Sequence, residues 1–234
     1  MPDIFSISLA DLTVKIKSKY VFTKKLCNEY LTDNHNVPDI YAESNDDDII
    51  KEKTAVPTAD TGVCESLCIY RAVAEQLPEF DRFVFHGAAI EYENNALLFT
   101  APSGTGKTTH IYLWKKHLGD KVDIINGDKP IISVKDCVTV YGTPWCGKEG
   151  LNRNVSAPLK AICVLKQSKV NCIKPLDNKS AINHLMRQVY LPKGEIASSK
   201  TLELLGKLIE KTPIYMLECD ISEQAFKTAF EQIC

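Results

Sequence analysis

No stretch of the chain approaches the roughly 18 uninterrupted apolar residues of a membrane-spanning helix. The first residues, Met1-Pro-Asp-Ile4, lack the basic and apolar regions of a secretory leader, so a cytoplasmic location is the default expectation. Neither sign of charge dominates. There are 28 Lys and Arg against 30 Asp and Glu, a formal net charge of −2. That balance leaves no global basic field to draw in nucleic acid or an anionic membrane surface. The nine cysteines form no CxxC pair, and their spacing matches no zinc site. They read as small, mostly buried thiols in a reducing compartment. Cys146, in a polar loop, is the one position open to a reactive reading, although nothing near it in sequence would depress its pKa. The chain has no internal repeat and no low-complexity linker.

What is present is ordinary for a globular protein: 234 residues, 44% hydrophobic and 25% charged. That length suits one large domain, or one domain with an appendage, and needs no disulfide or metal to build its core. Alternation over residues 5–16 predicts a short hairpin, and residues 39–43 a further strand. The acidic cluster Asn45 to Asp48 suits a helix start, where negative charge meets the dipole. Three adjacent aspartates point in different directions on a helix, which weighs against a metal site. Leu67, Tyr70, Ala74 and Leu77 mark a helical face that Pro78 ends.

The pattern then shortens. Strands are predicted at residues 83–85, 88–90 and 96–99, with Asn94-Asn95 as a hairpin turn. Others follow at 122–125, 131–134 and 138–141. A polar loop spans 142–158, and a buried strand spans 159–165. Three helical faces close the chain: Ile182, Leu185, Met186 and Val189; Leu202, Leu205 and Ile209; Phe226, Ala229, Phe230 and Ile233. Asp220 and Glu223 are placed as an approximate capping box for the last. The expected fold is α/β (α+β), a mixed-sheet core over residues 81–234 preceded by a small α+β segment over residues 1–80.

The most informative stretch is Ala101-Pro-Ser-Gly-Thr-Gly-Lys-Thr-Thr109, between an apolar run and a helical pattern with Ile111, Trp114 and Leu118 on one face. Strand, glycine-rich turn, Gly-Lys-Thr and helix is the order of a phosphate-binding loop. The glycines let backbone N–H groups converge, and the new helix adds its positive end. Ser103, Gly104, Thr105, Gly106, Lys107, Thr108 and Thr109 are the candidate nucleotide contacts. Lys107 would reach the outer phosphates, and the Thr108 hydroxyl would sit on Mg²⁺. Ala101 stands where the pattern G-x-x-x-x-G-K-[ST] begins with Gly, which is tolerable if its φ is negative.

Phosphoryl transfer also needs a group to handle the acceptor hydroxyl and positive charge for the transition state. Asp128 follows the strand after the loop's helix. It could bind Mg²⁺ or take the acceptor proton, or serve only as a turn residue in Gly-Asp-Lys-Pro. His86, between two apolar runs, is either catalytic or a satisfied structural side chain. Arg153, in the polar loop, could grip phosphate oxygens or lie idle in solvent.

His86-Gly-Ala, a hairpin, Ala-Pro-Ser-Gly-Thr-Gly-Lys-Thr-Thr-His110 and a strand ending in Asn-Gly-Asp128 occur in that order at close spacing. The set resembles the catalytic domain of HPr kinase/phosphorylase, and more closely the smaller HPr kinase-related proteins with a phosphoenolpyruvate-carboxykinase-like nucleotide fold. The segment Tyr141 to Asn154 also resembles those smaller relatives. The resemblance implies ATP and Mg²⁺, a serine-type hydroxyl acceptor, a His and an Asp near the reaction (here His86 and Asp128), and a possible homo-oligomer. The chain departs from that family at three places. Thr109 follows Lys-Thr where an acidic residue is usual. Asn126-Gly127 precede a single Asp128 in place of two adjacent aspartates. The family's Arg-rich Gly-Asn-Ala-Pro-Leu-Arg-Pro-Gly-Arg segment has no counterpart. The expected activity is an ATP-dependent kinase acting on a hydroxyl; the alternative is a nucleotide-dependent regulatory or binding module without turnover.

Overall fold

Apolar residues at every second position build the first sheet. In a computed structural model that describes residues 2–34 and 36–234, β1 (Asp3–Leu9) pairs antiparallel with β2 (Leu12–Ser18). Ala10 and Asp11 turn between them at φ of 50° and 59°, the left-handed pair that a two-residue hairpin turn requires. Ile7, Leu9, Val14 and Ile16 point inward. β3 (Ile40–Glu43) adds in parallel to β2. α1 (Val21–Leu26) and α3 (Thr61–Gln76) pack on this sheet, and α2 (Asp46–Ala55) packs on α3. Asn45 caps α2, its side-chain oxygen accepting from the Asp48 N–H at 2.8 Å. The three aspartates after it are exposed.

The remaining elements build a nine-stranded mixed sheet. They are β4 (Arg82–Val84), β5 (Ala88–Tyr92), β6 (Asn95–Thr100), α4 (Lys107–Leu118), β7 (Val122–Asn126), β8 (Ile131–Ser133), β9 (Thr139–Tyr141), β10 (Ser156–Gln167), β11 (Cys172–Pro175), α5 (Asn178–Leu185), α6 (Glu195–Lys211), β12 (Ile214–Cys219) and α7 (Glu223–Ile233). The path runs β4-β8-β9-β10-β6-β5-β7, and β12 joins β10 to β11. Alternation along β6 divides the core. Ala96 and Leu98 pack with α5 and α6 through Leu185, Leu204 and Leu208. Leu97 and Phe99 pack with α4 and α7 through Ile111, Trp114 and Phe226. A third cluster joins β1 to β3 and α3 to Val84, Ile131 and Trp145.

Several sequence expectations need correction. The β5–β6 turn is Glu93-Asn94, at φ of 49° and 61°, and Asn95 already pairs with Tyr92. β10 begins at Ser156, so the polar loop ends before Pro158. Proline cannot donate a ladder bond, and it sits in the part of β10 that precedes pairing with β6 at Leu159. α5 gives way to a tighter 3-10 turn at Met186, and its inward face lies one residue from the expected one. Ala181 and Leu185 are buried, while Ile182 and Met186 are exposed. On α6 the inward residues are Leu204, Leu205, Leu208 and Ile209, with Leu202 outside. No capping box forms at α7. Asp220 Oδ1 accepts from the N–H and hydroxyl of Ser222, and Glu223 pairs with Lys227.

Candidate functional site

Strand directions decide what meets what. β5 runs antiparallel to β6, and β7 antiparallel to β5, so β7 runs with β6. β10 and β12 are parallel to β6. The carboxyl ends of β6, β7, β10 and β12 therefore share one edge of the sheet with the start of β5. The edge that carries strand ends is where α/β sheets hold ligands. Here it carries His86, the 101–106 loop and Asp128 together, as the sequence order implied.

The loop is a tight turn into α4. Gly104 and Gly106 have φ of 80° and 111°, values that an L side chain rarely adopts. Ala101 is buried and is not among the positive-φ residues, so alanine suffices there. Ser103, Gly104 and Thr109 are exposed, and Thr105, Gly106 and Thr108 half-buried. Lys107, only 8% exposed, folds back to donate to the Ala101 carbonyl at 2.9 Å. Burial lowers its pKa; Asp128 opposes that shift and Lys129 adds to it.

On one side of the loop lies an acidic flank. Asn126, fully buried, closes the turn after β7: its side-chain oxygen accepts from the N–H groups of Asp128 at 2.9 Å and Lys129 at 2.7 Å. The turn-forming residue is thus Asn126, and the Asp128 side chain is left to face its partners. His86 Nε2 lies 3.3 Å from Asp128 Oδ1, and Lys129 Nζ contacts Oδ2. Burial alone would raise the Asp128 pKa. Hydrogen bonds from His86 and Lys129, with their charges, outweigh it and hold the carboxyl at about 2. The Gly87 N–H donates to the Asp128 carbonyl at 3.0 Å, and the Thr100 hydroxyl to the His86 carbonyl at 2.8 Å. Gln188 holds His86 twice: its carbonyl accepts the His86 N–H at 2.6 Å, and its Oε1 lies 2.8 Å from Nδ1. Sequence reasoning missed Gln188 and Lys129; Lys129, adjacent to Asp128, was within its reach.

Arg153 is not brought into this set. Its Nη1 pairs with Asp123 Oδ2 at 2.6 Å, both half-exposed, part-way back along β7. The bridge between Asn126 and Asn152 explains this. In extended chain, neighbouring side chains point to opposite faces. Asn152 turns inward to the Thr143 carbonyl, so Arg153 turns out. Gly142 permits the close approach, since a Cβ there would fall 1.8 Å from the Arg153 carbonyl oxygen. Cys146 is buried, not a free loop thiol, and burial raises its pKa; the reactive reading is withdrawn.

On the loop's other side is a cavity of about 540 Å³, bounded by α4 and by the segments after β10 and β12. The Gln167 side chain ties it to the loop, donating to the Thr105 carbonyl at 3.2 Å. Among the described residues, no group of three or more His, Cys, Asp and Glu could hold a metal ion, and no helix is long and apolar enough to cross a membrane.

The sheet, its helices and the strand–glycine loop–helix unit define a mixed α/β protein with a nucleotide-binding-like fold. The chain belongs to the SynChlorMet cassette protein ScmC family, whose profile matches residues 63–234. No curated protein matches it. Among solved structures it is similar to the Hpr(Ser) kinase/phosphatase from Coxiella burnetii, at 8% identity and a TM-score of 0.31, over 52% of this chain and 86% of that one. At that level the likeness carries no functional inference.

Proposed function

We propose that the chain binds a nucleoside triphosphate with Mg²⁺ at residues 101–109 and transfers its terminal phosphoryl group to a hydroxyl, serine-like, on a small molecule, peptide or protein. One observation carries this reading. Lys107 is a buried cation at the head of α4 whose only hydrogen-bond partner among the described residues is a neutral carbonyl. A buried charge hydrogen-bonded only to a neutral group is costly even with Asp128 acting on it from a distance, and a polyphosphate would supply a direct counter-charge at a helix N-terminus.

In the proposed reaction the acceptor oxygen forms a bond to the terminal phosphorus. The bond to the bridging oxygen breaks, the nucleoside diphosphate leaves, and the acceptor proton is released. A general base works best with a pKa near the operating pH. Asp128, at about 2, is a weak base. Its role is to orient the hydroxyl and to receive the proton late, as suits a transition state with little demand for a base. Lys107 and Lys129 offset charge on the transferring group.

Mg²⁺ commonly takes one or two protein ligands and completes its shell with phosphate oxygens and water. Thr108 fits that need. Asp128 fits once His86 or Lys129 releases an oxygen, so the donor set suits a metal that arrives on the nucleotide. There it would screen phosphate charge. Residues 1–80 would form the acceptor side: Trp145 Nε1 donates to the Ser66 carbonyl at 3.2 Å, and Lys129 lies 6.0 Å from the Tyr70 ring centre.

The decisive pair is Lys107→Ala, expected to weaken nucleotide binding, and Asp128→Asn, expected to spare binding and abolish transfer. A mass-spectrometric screen of serine, related hydroxyl metabolites and peptides would find the acceptor. Undiminished turnover in Asp128→Asn would remove the mechanism. A second reading, a nucleotide-dependent regulatory module, is favoured by one fact. Both Asp128 oxygens are already engaged, and the loop lies against it, a Cβ at Gly147 falling 3.2 Å from the Asp128 Cβ. Saturable nucleotide binding with no turnover on any acceptor would support that reading.

A further inference from the structure

His110 is the second residue after the Lys107-Thr108 pair, on α4, and is 3% exposed. Its ring lies against Phe99, centres 4.7 Å apart. Trp114 Nε1 bonds its Nε2 at 3.2 Å. An indole N–H can only donate, so Nε2 is the acceptor and the neutral ring carries its hydrogen on Nδ1. That Nδ1–H is buried and has no partner among the described residues. Orphaned buried donors are rare in folded chains and call for a reason.

The ring also borders open space. His110 lines the cavity of about 540 Å³ beside the loop, with Leu113, Leu165, Cys219 and Ile221 as apolar walls. The volume falls in the range of small-ligand sites. One wall is the 104–106 backbone itself, so a molecule seated there is contiguous with whatever that loop holds. An apolar slot, one fixed neutral donor and contact with a phosphate-type loop are the features of a nucleobase site. Lys166 and Lys169 also line the cavity, but Lys166 is paired with Glu218 and both side chains are exposed, so the buried polar group on this wall is the neutral ring.

We propose that this cavity takes the base of the bound nucleotide, and that His110 Nδ1–H donates to a ring nitrogen or carbonyl oxygen of that base. The inference rests on the nucleotide reading of the loop, but the two can fail separately. Calorimetry would compare the magnesium complexes of ATP, GTP, UTP and inorganic tripolyphosphate. At least one nucleotide should bind about tenfold or more tightly than tripolyphosphate. In ¹⁵N-imidazole NMR the His110 Nδ1–H resonance should shift with that nucleotide and stay put with tripolyphosphate. His110→Phe should erase the preference while leaving tripolyphosphate affinity unchanged. Should it fail to fold, Ile221→Trp, at an exposed position on the cavity wall, should erase it by filling the slot. Equal binding of tripolyphosphate and every nucleotide overturns the base site and leaves the loop reading intact. No binding of any of them overturns the loop reading, and the base site with it.

Discussion

The two flanks of the 101–106 loop leave one sheet edge and are built in opposite ways. Beside β5 and β7, charge is packed against charge: Asp128 meets His86 and Lys129, and Gln188 meets His86. Beside β10 and β12, the walls are mostly apolar, the space is open, and a buried polar atom, His110 Nδ1, is unpaired among the described residues. A satisfied charged network resists rearrangement and holds its members in fixed relative positions. An open slot with a spare donor costs little to leave empty except at that donor. The contrast assigns the chemical step of the proposed reaction to the first flank and recognition to the second, with Lys107 between them.

If that division holds, Asp128→Asn has the largest effect. On the proposed reaction, turnover should fall about 10²- to 10³-fold as orientation and electrostatic fit are lost, with nucleotide affinity within about threefold. Lost affinity with turnover preserved per bound nucleotide would reverse the roles of the flanks. Lys107→Ala should weaken nucleotide and tripolyphosphate alike, by about 10- to 100-fold, the worth of one charge-assisted bond. A loss confined to nucleotides would move Lys107 to the recognition side.

Acid tests the charged flank without any ligand. Asp128 is held at about 2, below its ordinary 3.8. A depressed carboxylate stabilises the fold fully above the unfolded value and loses that contribution as pH falls through the folded one. About 2 kcal/mol should vanish between about pH 4 and pH 2, and Asp128→Asn should lack that part of the acid transition in urea melts. Identical acid profiles would mean that His86 and Lys129 do not hold the carboxylate in solution. Gln188→Leu should then act more gently. It keeps the backbone bond to His86 and removes the partner of Nδ1, for a roughly tenfold fall in turnover, with a shifted pH profile as the sign that His86 is repositioned and not merely destabilised.

What the sequence revealed follows from chain distance. His86, the loop and Asp128 were legible because each abuts a strand end within one run of about forty residues, and strand order brings such ends together. Gln188 was not, because it reaches His86 from 102 residues away through an isolated bridge between Phe85 and Val189. Asn126 looked like a departure from an acidic pair, yet it is the side chain that shapes the turn presenting Asp128. The cavity was invisible for a related reason. Its walls come from α4 and the ends of β10 and β12, and no local pattern announces which strand ends will be neighbours. The α5 face was misread by one residue, because its inward position is held by small Ala181, four before Leu185, while the bulkier Ile182 and Met186, also four apart, stand outside.

The smallest effect belongs to the residue whose loop position promised most. Arg153 pairs with Asp123 at 2.6 Å, but both side chains are about half exposed, and exposed pairs are worth about 0–1 kcal/mol. Neither flank uses it, since its partner lies part-way back along β7 and not at the strand's end. Arg153→Ala should therefore leave turnover within about twofold and lower stability by less than about 1 kcal/mol, read from urea melts beside initial rates. A tenfold fall in turnover with unchanged stability would show that the 142–155 loop swings its guanidinium onto the transferring group during the reaction. The charged flank would then be incomplete as it stands, and the division of labour between the two sides would have to include a moving part.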